Sequence, residues 1–192
     1  MSRTANPRVL PVVVDRWSPR SFDGSAIPQG DLDVIFEAAG LAASAYNYQP
    51  WRFLYAHHAD EALFAQFLTP LVEFNQGWAK EASVLIYVIS DEIMVTEQGS
   101  NPNHSHSFDA GAAWATLALQ ALALGYHTHG MTGVDFDKAR DVLKVPEGFR
   151  VEAAIALGKQ APADKLPEFL REREAPSGRK PVAEIAWSGK YR

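Results

Sequence analysis

The sequence predicts an α+β fold, in which a small sheet of four or five strands carries helices on both sides. The near-continuous β-branched run Ser83–Ser90 is typical of a strand buried on both faces. The uncharged segment Ala110–Leu124 follows helix-capping residue types, which indicates a long buried helix. Two shorter segments, Trp51–His57 and Arg150–Gly158, have the composition of further strands. With 192 residues, the chain is expected to form a single domain, residues 1–192.

The N-terminal half is expected to combine short helices with strands. Apolar residues at helical spacing follow Pro28 and stop at Gly40, which predicts a helix. A connector of small and polar residues at 42–50 leads into the strand at Trp51. The other elements expected before residue 91 are a β-branched segment at Val12–Arg16, a helix at Glu61–Leu68, a turn or short helix at Asn75–Glu81 and the buried strand Ser83–Ser90.

In the C-terminal half, polar composition predicts a mobile loop at Thr96–Ser105. Ser107 or Asp109 is expected to cap the long helix, and Gly125 to end it. High charge and proline content predict an extended C-terminal arm over residues 159–192. The elements expected beyond the long helix are a strand that starts at Tyr126 and ends in a glycine-rich loop at Val134, a helix at Asp137–Leu143, the strand Arg150–Gly158 and a short helix at Pro181–Ala186.

Composition argues against several classes of protein. The formal net charge of −5 does not suit a nucleic-acid-binding surface. The chain has no Cys, which excludes disulfides, thiolate metal sites and cysteine nucleophiles. With no signal-peptide pattern at Met1–Pro11, a cytoplasmic protein is expected. The apolar stretch Ala110–Tyr126 is just short of a membrane span, so a buried helix is preferred to a membrane helix.

Common catalytic and cofactor motifs are absent from the sequence. It has no G-x-G-x-x-G, phosphate-loop, G-x-S-x-G or H-E-x-x-H pattern. The six His residues fall in pairs, but no carboxylate is close in sequence to His127 and His129, so no metal site is predicted. A hydrolase triad of Ser107, His106 and Asp109 is an alternative of very low specificity, because these are common residues in a polar loop.

Two arginines flank a serine in the segment Arg16–Phe22. In an extended chain, Arg16, Ser18 and Arg20 share one face and would present two guanidiniums and a hydroxyl to one ligand. Guanidinium suits a phosphate or the edge of a flat heteroaromatic ring. The alternative, a solvated basic loop, stays open on spacing alone.

A second segment of interest, Ala42–Phe53, carries small residues ahead of Gln49-Pro50-Trp51. Small side chains allow the backbone to approach a flat ligand closely. The alternative is a plain helix-to-strand connector with an aromatic contact.

The N-terminal part of the sequence has, in this order, R-x-S-x-R-x-F, a helix and S-x-x-N-x-Q-P-W-x-F. It resembles the N-terminal pattern of the nitroreductase family of FMN-dependent oxidoreductases. The similarity extends from about Val12 to Ala186. It implies a nitroreductase-like antiparallel or mixed sheet and a C-terminal arm that is exchanged with the partner subunit. Further segments that resemble the family are Asn75 ahead of Ala82–Ile86, Asp109-Ala110-Gly111, Leu124-Gly125-Tyr126, Gly130–Gly133, Leu143–Glu147, Ala156-Leu157-Gly158 and Ser177–Pro181.

The resemblance also implies how FMN would be bound, non-covalently. Arg16 and Arg179 would bind the phosphate, as paired cations do. Trp17 would contact the ribityl region and Ser18 would add a hydrogen bond. Arg20 would lie at the pyrimidine edge of the flavin, where it would stabilise the negative charge that reduction creates.

Residues from later segments would complete the implied site. Asn75 would hydrogen-bond the same ring edge. Gly130, Met131, Thr132 and Gly133 resemble the loop over the flavin, and the last two would turn their backbone N–H groups to N5 and O4. The residues expected to reach a flavin held mainly by the other subunit are Ala43, Ser44, Ala45 and Asn47.

The implied function is an oxidoreductase that takes hydride from NAD(P)H and passes it, in a ping-pong cycle, to a nitroaromatic, quinone or similar flat acceptor. FMN would carry the chemistry, so no side chain is assigned a catalytic role and Arg20 would tune the flavin. The alternative is a flavin-binding protein without reductase activity, such as a store, a sensor or a flavin-cleaving relative.

Two further features bear on these expectations. The helix within Ala110–Tyr126 offers only Thr116 and Gln120 as polar residues, so a second copy of the chain is expected to cover it in a homodimer with FMN at the interface. Trp78 stands where family members often carry a lysine, which would make Arg20 more critical for stabilising a reduced flavin.

Overall fold

The computed structural model describes residue 3 and residues 5–191. At its centre lies a four-stranded antiparallel sheet in the order β1-β2-β6-β5. The strands of the described residues are β1 (Trp51–His57), β2 (Val84–Asp91), β3 (Ile93–Thr96), β4 (Gly99–Pro102), β5 (His127–Met131) and β6 (Phe149–Gly158).

The helices are short apart from two. Those described are α1 (Pro11–Asp15), α2 (Gln29–Gly40), α3 (Glu61–Leu68), α4 (Glu73–Ala79), α5 (His106–Ala123), α6 (Phe136–Val142) and α7 (Glu168–Arg171). Single 3-10 turns are formed by Ala45–Asn47, Ala163–Lys165 and Val182–Glu184.

Helices cover both faces of the sheet. On one face, α2 and α5 pack against β2 through a core that includes Leu32, Leu117 and Ile86. On the other face, α3 and α4 place Phe64 and Trp78 in a second core. Strand β2 lies between the two cores, which explains why its sequence is apolar almost without interruption. The predicted α+β fold, with an antiparallel sheet flanked by helices, is confirmed.

Helix α5 begins earlier than expected. Ser105 occupies its N-cap position, so the expected caps, Ser107 and Asp109, lie within its first turn. The carboxylate of Asp109 is bound instead by the Ser105 hydroxyl, at 3.0 Å, and by a neighbouring loop. Gly125 follows the helix at φ 85°, a left-handed conformation that glycine adopts without strain. In the described part of the chain, no helix has the length and apolarity needed to cross a membrane.

Two segments have more regular structure than their composition suggested. The predicted mobile loop Thr96–Ser105 contains β4, which pairs antiparallel with β3 around a turn at Glu97 and Gln98. The expectation of an irregular loop is therefore wrong there, because backbone pairing orders a polar segment that has no apolar pattern. The β-branched segment Val12–Arg16 lies mostly within helix α1, which Pro11 starts at a position where proline is favoured.

The C-terminal arm is packed in its first part. Leu166 and Leu170 enter the core beneath α7, so this part is not merely an extended arm. Glu174 and Ser177 then bond to the N-terminal region of the same chain. Residues 180–191 are exposed. Exchange of these last residues with a partner subunit stays a prediction.

Candidate functional site

The segment that links α1 to α2 forms one wall of a polar cleft of about 440 Å³. Arg16, Ser18 and Arg20 all line this cleft, and Nη1 of Arg16 donates to Oγ of Ser18 at 3.3 Å. Trp17 also lines it and makes an edge contact with the ring of His127. The structure thus brings together the residues of the first sequence motif, on one side of one cavity.

Two guanidiniums from the chain ends join this wall. Arg3 lies beside Arg16 and donates through Nη1 to its carbonyl oxygen. Arg179 lines the same cleft from the C-terminal arm, with Nη1 donating to Oγ of Ser177 at 2.9 Å. We call this cavity the basic cleft; the arginines that line it are Arg3, Arg16, Arg20, Arg173 and Arg179, and the carboxylate that lines it is Glu172.

The charges in the basic cleft are incompletely compensated. Burial lowers the pKa of Arg16, and the nearby charges of Arg3 and Arg179 lower it further. The pKa of Arg3 is lowered by burial and by Arg179. Among the described residues, no carboxylate lies within 4.0 Å of these three guanidiniums. Such a cluster is favourable for an anion with several acceptor oxygens, phosphate above all.

A buried aromatic pair supports the cleft from below. Trp78, 2 % exposed, packs against the ring of His129, with the ring centres 4.6 Å apart and the planes tilted by 44°. Nδ1 of His129 lies 2.9 Å from the carbonyl oxygen of Pro19, which fixes this nitrogen as the donor. Burial is the main cause that lowers the pKa of His129 to about 4, so its ring is neutral at neutral pH. The pair therefore fixes the backbone just before Arg20 without adding a charge.

An apolar groove of about 630 Å³ adjoins the basic cleft, and Arg16 and Ser18 line both cavities. Met131 and Thr132, at the end of β5, form one side of this groove. Its other apolar lining residues are Val13, Trp114, Ala115, Ala118, Leu119 and Ala153. Gly130 lies so close to Trp114 that a Cβ there would be 3.1 Å from the indole ring. A cationic cavity and an apolar cavity thus lie side by side, with Arg16 and Ser18 between them.

Asn75 and Gly133 lie together beyond the end of β5. Nδ2 of Asn75, on α4, donates to the Gly133 carbonyl oxygen at 3.1 Å. A Cβ at position 133 would lie only 2.4 Å from that same Nδ2 atom, so the contact requires glycine. Asn75, which the resemblance placed at the flavin ring edge, is thus next to the loop with Thr132, although neither Asn75 nor Gly133 lines the basic cleft or the apolar groove.

The loop with Ala43, Ser44, Ala45 and Asn47 lies elsewhere. The N–H of Ala45 donates to Oδ2 of Asp109, in the first turn of α5, whereas the apolar groove lies along the middle of that helix. Tyr46, Asn47 and Gln49 have left-handed backbones, with φ of 54°, 53° and 53°. Within one chain, the structure does not bring this loop to the residues of the basic cleft.

The weak triad alternative is not supported by the geometry. Asp109 points to the Ala45 loop, while His106 lies 3.4 Å from Glu152. Ser90 and Ser107 both donate to that same carboxylate, at 2.6 and 2.7 Å. His106 therefore belongs to a partly buried hydrogen-bond network at the start of α5.

Sequence reasoning missed Arg3, Glu174 and His129. Arg3 and Glu174 are charged residues in segments without periodicity, and only long-range folding brings them to the cleft. His129 had one usable signal, its spacing from His127 on a strand, which places both rings on the same side of the sheet.

Comparison with known proteins agrees with this geometry. The family model described as the nitroreductase family matches residues 13–159. A solved structure described as an oxidoreductase containing FMN superimposes with a TM-score of 0.95 at 48% identity, covering 99% of this chain and 96% of that one.

Curated relatives are more distant. An uncharacterized 15.4 kDa protein of Mycolicibacterium smegmatis is 31% identical and aligns with 71% of this chain and 88% of its own length. An NADH dehydrogenase of Thermus thermophilus is 27% identical and aligns with 79% of this chain and 88% of its own. Because the family model covers most of the chain and a relative above 30% identity aligns with more than two thirds of it, the chain belongs to the nitroreductase family.

Proposed function

We propose that this protein is an FMN-dependent oxidoreductase that uses NAD(P)H as its reductant. The observation that carries the proposal is the junction of the basic cleft and the apolar groove at Arg16 and Ser18. FMN has the same two ends, a phosphate and a flat ring system. The similarity to an FMN-containing oxidoreductase and to an NADH dehydrogenase supports the same cofactor and reductant.

The basic cleft fits the phosphate. Burial first, and then the charges of Arg3 and Arg179, lower the pKa of Arg16, and a dianion would relieve the repulsion among the three guanidiniums. Ser18 adds a hydroxyl and Trp17 an aromatic surface at the same cleft. These residues would hold the phosphate and the ribityl chain.

The apolar groove and its far end fit the ring system. Met131 and Thr132 border the groove, and Gly133 follows without a side chain. Asn75 holds Gly133 in place and would bond the ring edge. Arg20 would place its charge near the same edge, while Trp78 offers an uncharged, buried surface where a lysine would add a second cation.

When bound, FMN supplies the transfer of hydride between a reduced nicotinamide and a second substrate. The chain itself positions the partners and stabilises charge, and no side chain is assigned proton transfer. We propose that NAD(P)H and a flat acceptor, such as a nitroaromatic or quinone, bind in turn, which is a ping-pong cycle.

A homodimer is part of this proposal. The outer face of α5 is exposed at Phe108, Gly111 and Ala115, and Phe108 is 81 % exposed. A second copy packed there would cover this face, and it would supply the Ala43–Asn47 loop that one chain keeps away from its own cleft. Gly111→Arg, which lies on this face but does not line the apolar groove, should yield monomers in size-exclusion chromatography with light scattering, whereas Ala62→Arg, at an exposed position of α3, should not. A monomeric wild-type protein with bound FMN would contradict the dimer.

The proposed function is tested by an absorbance scan of the purified protein followed by anaerobic titration with NADH and with NADPH. Flavin bands that bleach with either nucleotide and return with a quinone support the proposal. A yellow protein that neither nucleotide reduces favours the flavin store, sensor or flavin-cleaving alternative. A protein that takes up no FMN overturns the proposal.

The role of Arg20 has its own test. Arg20→Ala should retain part of the FMN affinity, because the phosphate residues are unchanged, but should slow reduction by NAD(P)H. Stopped-flow absorbance at saturating FMN measures that rate, with Arg150→Ala as a control at an exposed position. Wild-type reduction rates in Arg20→Ala would remove this role.

A further inference from the structure

A carboxylate of the C-terminal arm binds the backbone of the segment that carries the cleft arginines. The N–H groups of Arg20 and Ser21 both donate to Oε1 of Glu174, at 2.8 and 2.9 Å. Hydrogen bonds from N–H groups to a charged acceptor are among the stronger ones in proteins. Glu174 is half-buried, so these bonds are partly shielded from water.

The residues that follow Glu174 reach the anion end of the cleft. The carbonyl oxygen of Ser177 accepts from Nε of Arg3 at 3.1 Å, and Arg179 lines the cleft two residues later. The bonds of Glu174 therefore tie the arm that carries Arg179 to the segment that carries Arg16 and Arg20. Among the described residues, these two are the hydrogen bonds between segment 16–21 and arm residues 172–179.

The hydrogen bonds of Glu174 oppose a repulsion among arginine side chains. Bringing Arg179 to the cleft adds a third guanidinium near Arg3 and Arg16, and it contributes to the lowered pKa of both. Like charges at such distances oppose closure of the arm until an anion is bound. An attachment point outside the cleft is therefore needed to keep the arm in place.

We propose that Glu174 is a positioning residue that holds arm residues 172–179 closed over the basic cleft and so places Arg179 for an incoming phosphate. The proposal rests on the proposed function in one respect, that the incoming phosphate is the phosphate of FMN. Glu174 acts by positioning the arm, so binding of inorganic phosphate is enough to reveal its effect.

The first test is FMN binding. Glu174→Ala should weaken FMN binding on the order of tenfold or more, as expected for the loss of hydrogen bonds to a charged group. Glu174→Gln keeps an oxygen that can accept both N–H groups and should lie within about threefold of the wild type. Glu168→Ala, which removes an exposed carboxylate of α7, is the matched charge control and should bind as the wild type does. Flavin fluorescence titration gives the Kd values.

The second test follows the arm directly. Limited trypsin digestion, followed as cleavage after Arg179, reports exposure of the arm with and without inorganic phosphate. Phosphate should slow cleavage in the wild type and in Glu174→Gln, and have little effect in Glu174→Ala. Circular dichroism and thermal melts establish that each variant is folded before digestion.

The outcomes separate the two proposals. If Glu174→Ala and Glu168→Ala match the wild type in both FMN affinity and cleavage, the role of Glu174 is overturned. If the wild type takes up no FMN but Glu174→Ala alone loses protection by phosphate, the proposed function fails and the role of Glu174 stands. If FMN binds and Glu174→Ala weakens both readouts while Glu174→Gln restores them, both are supported.

Discussion

The centre of the sheet and the basic cleft meet opposite requirements. Along β2, the side chains from Val84 to Ile89 are buried between two apolar cores, and the backbone pairs with a neighbouring strand on each side. In the cleft, Arg3, Arg16 and Arg179 crowd together without a close carboxylate among the described residues. The sheet is stabilised by contacts within the chain, whereas the cleft has a positive charge that an anionic ligand would compensate.

The largest expected effect is at the sheet. Ile86 is 0 % exposed, and Ile86→Ala should lower the free energy of unfolding by about 3 kcal/mol, through lost burial and the cavity left behind. Urea unfolding measures the change, with Val95→Ala on the exposed hairpin as the control. An equal loss in both variants would mean that the centre of the sheet is not the main source of stability.

The next largest effect is the pH dependence of the free energy of unfolding that arises from His129. The pKa of His129 is about 4 in the folded chain and near 6.5 when unfolded, so the unfolded chain takes up a proton first as the pH falls. Stability should therefore drop by up to about 3 kcal/mol between pH 6.5 and pH 4, and be unaffected by this group above that range.

A comparison with His129→Asn isolates this effect, because asparagine retains an N–H donor for Pro19 but does not titrate. The difference in free energy of unfolding between the two proteins should change only below about pH 6.5. Parallel pH profiles would show that His129 titrates in the folded protein much as it does in the unfolded chain.

Substitution of a cleft arginine is expected to change the free energy of unfolding least and to weaken FMN binding clearly. Arg16→Ala should weaken FMN binding on the order of tenfold to a hundredfold, while the free energy of unfolding without ligand changes by less than about 1 kcal/mol. Lost repulsion from Arg3 and Arg179 offsets the lost packing. Fluorescence titration and urea unfolding test the two parts, with Arg150→Ala as the control. A large loss of stability without ligand would contradict the contrast between sheet and cleft.

The same contrast explains what could be predicted from the sequence. Strand β2 was predictable because an element covered on both faces must be apolar, and the buried face of α5 because apolar residues recur along it; both patterns are visible in a short window of sequence. The hairpin β3–β4 was missed because its four-residue strands are exposed and carry no alternation.

The site was predictable only in part. Arg16, Ser18 and Arg20 share a motif, and their common cavity follows from an extended segment. Arg3 and Glu174 reach them across more than ten and more than a hundred and fifty positions, respectively, through contacts that leave no local pattern. Charged residues in chain ends without periodicity give no signal until the fold is known.

The loop after α2 has a consequence for adaptation to heat. Tyr46, Asn47 and Gln49 all hold left-handed backbones that glycine would adopt more easily, at roughly 1 kcal/mol for each side chain that is not glycine. Asparagine adopts this conformation more readily than tyrosine or glutamine, so the strain lies mainly at Tyr46 and Gln49. Glycine substitutions at Tyr46 and Gln49, in this exposed turn, are therefore expected to raise thermostability more readily than substitutions in the filled interior.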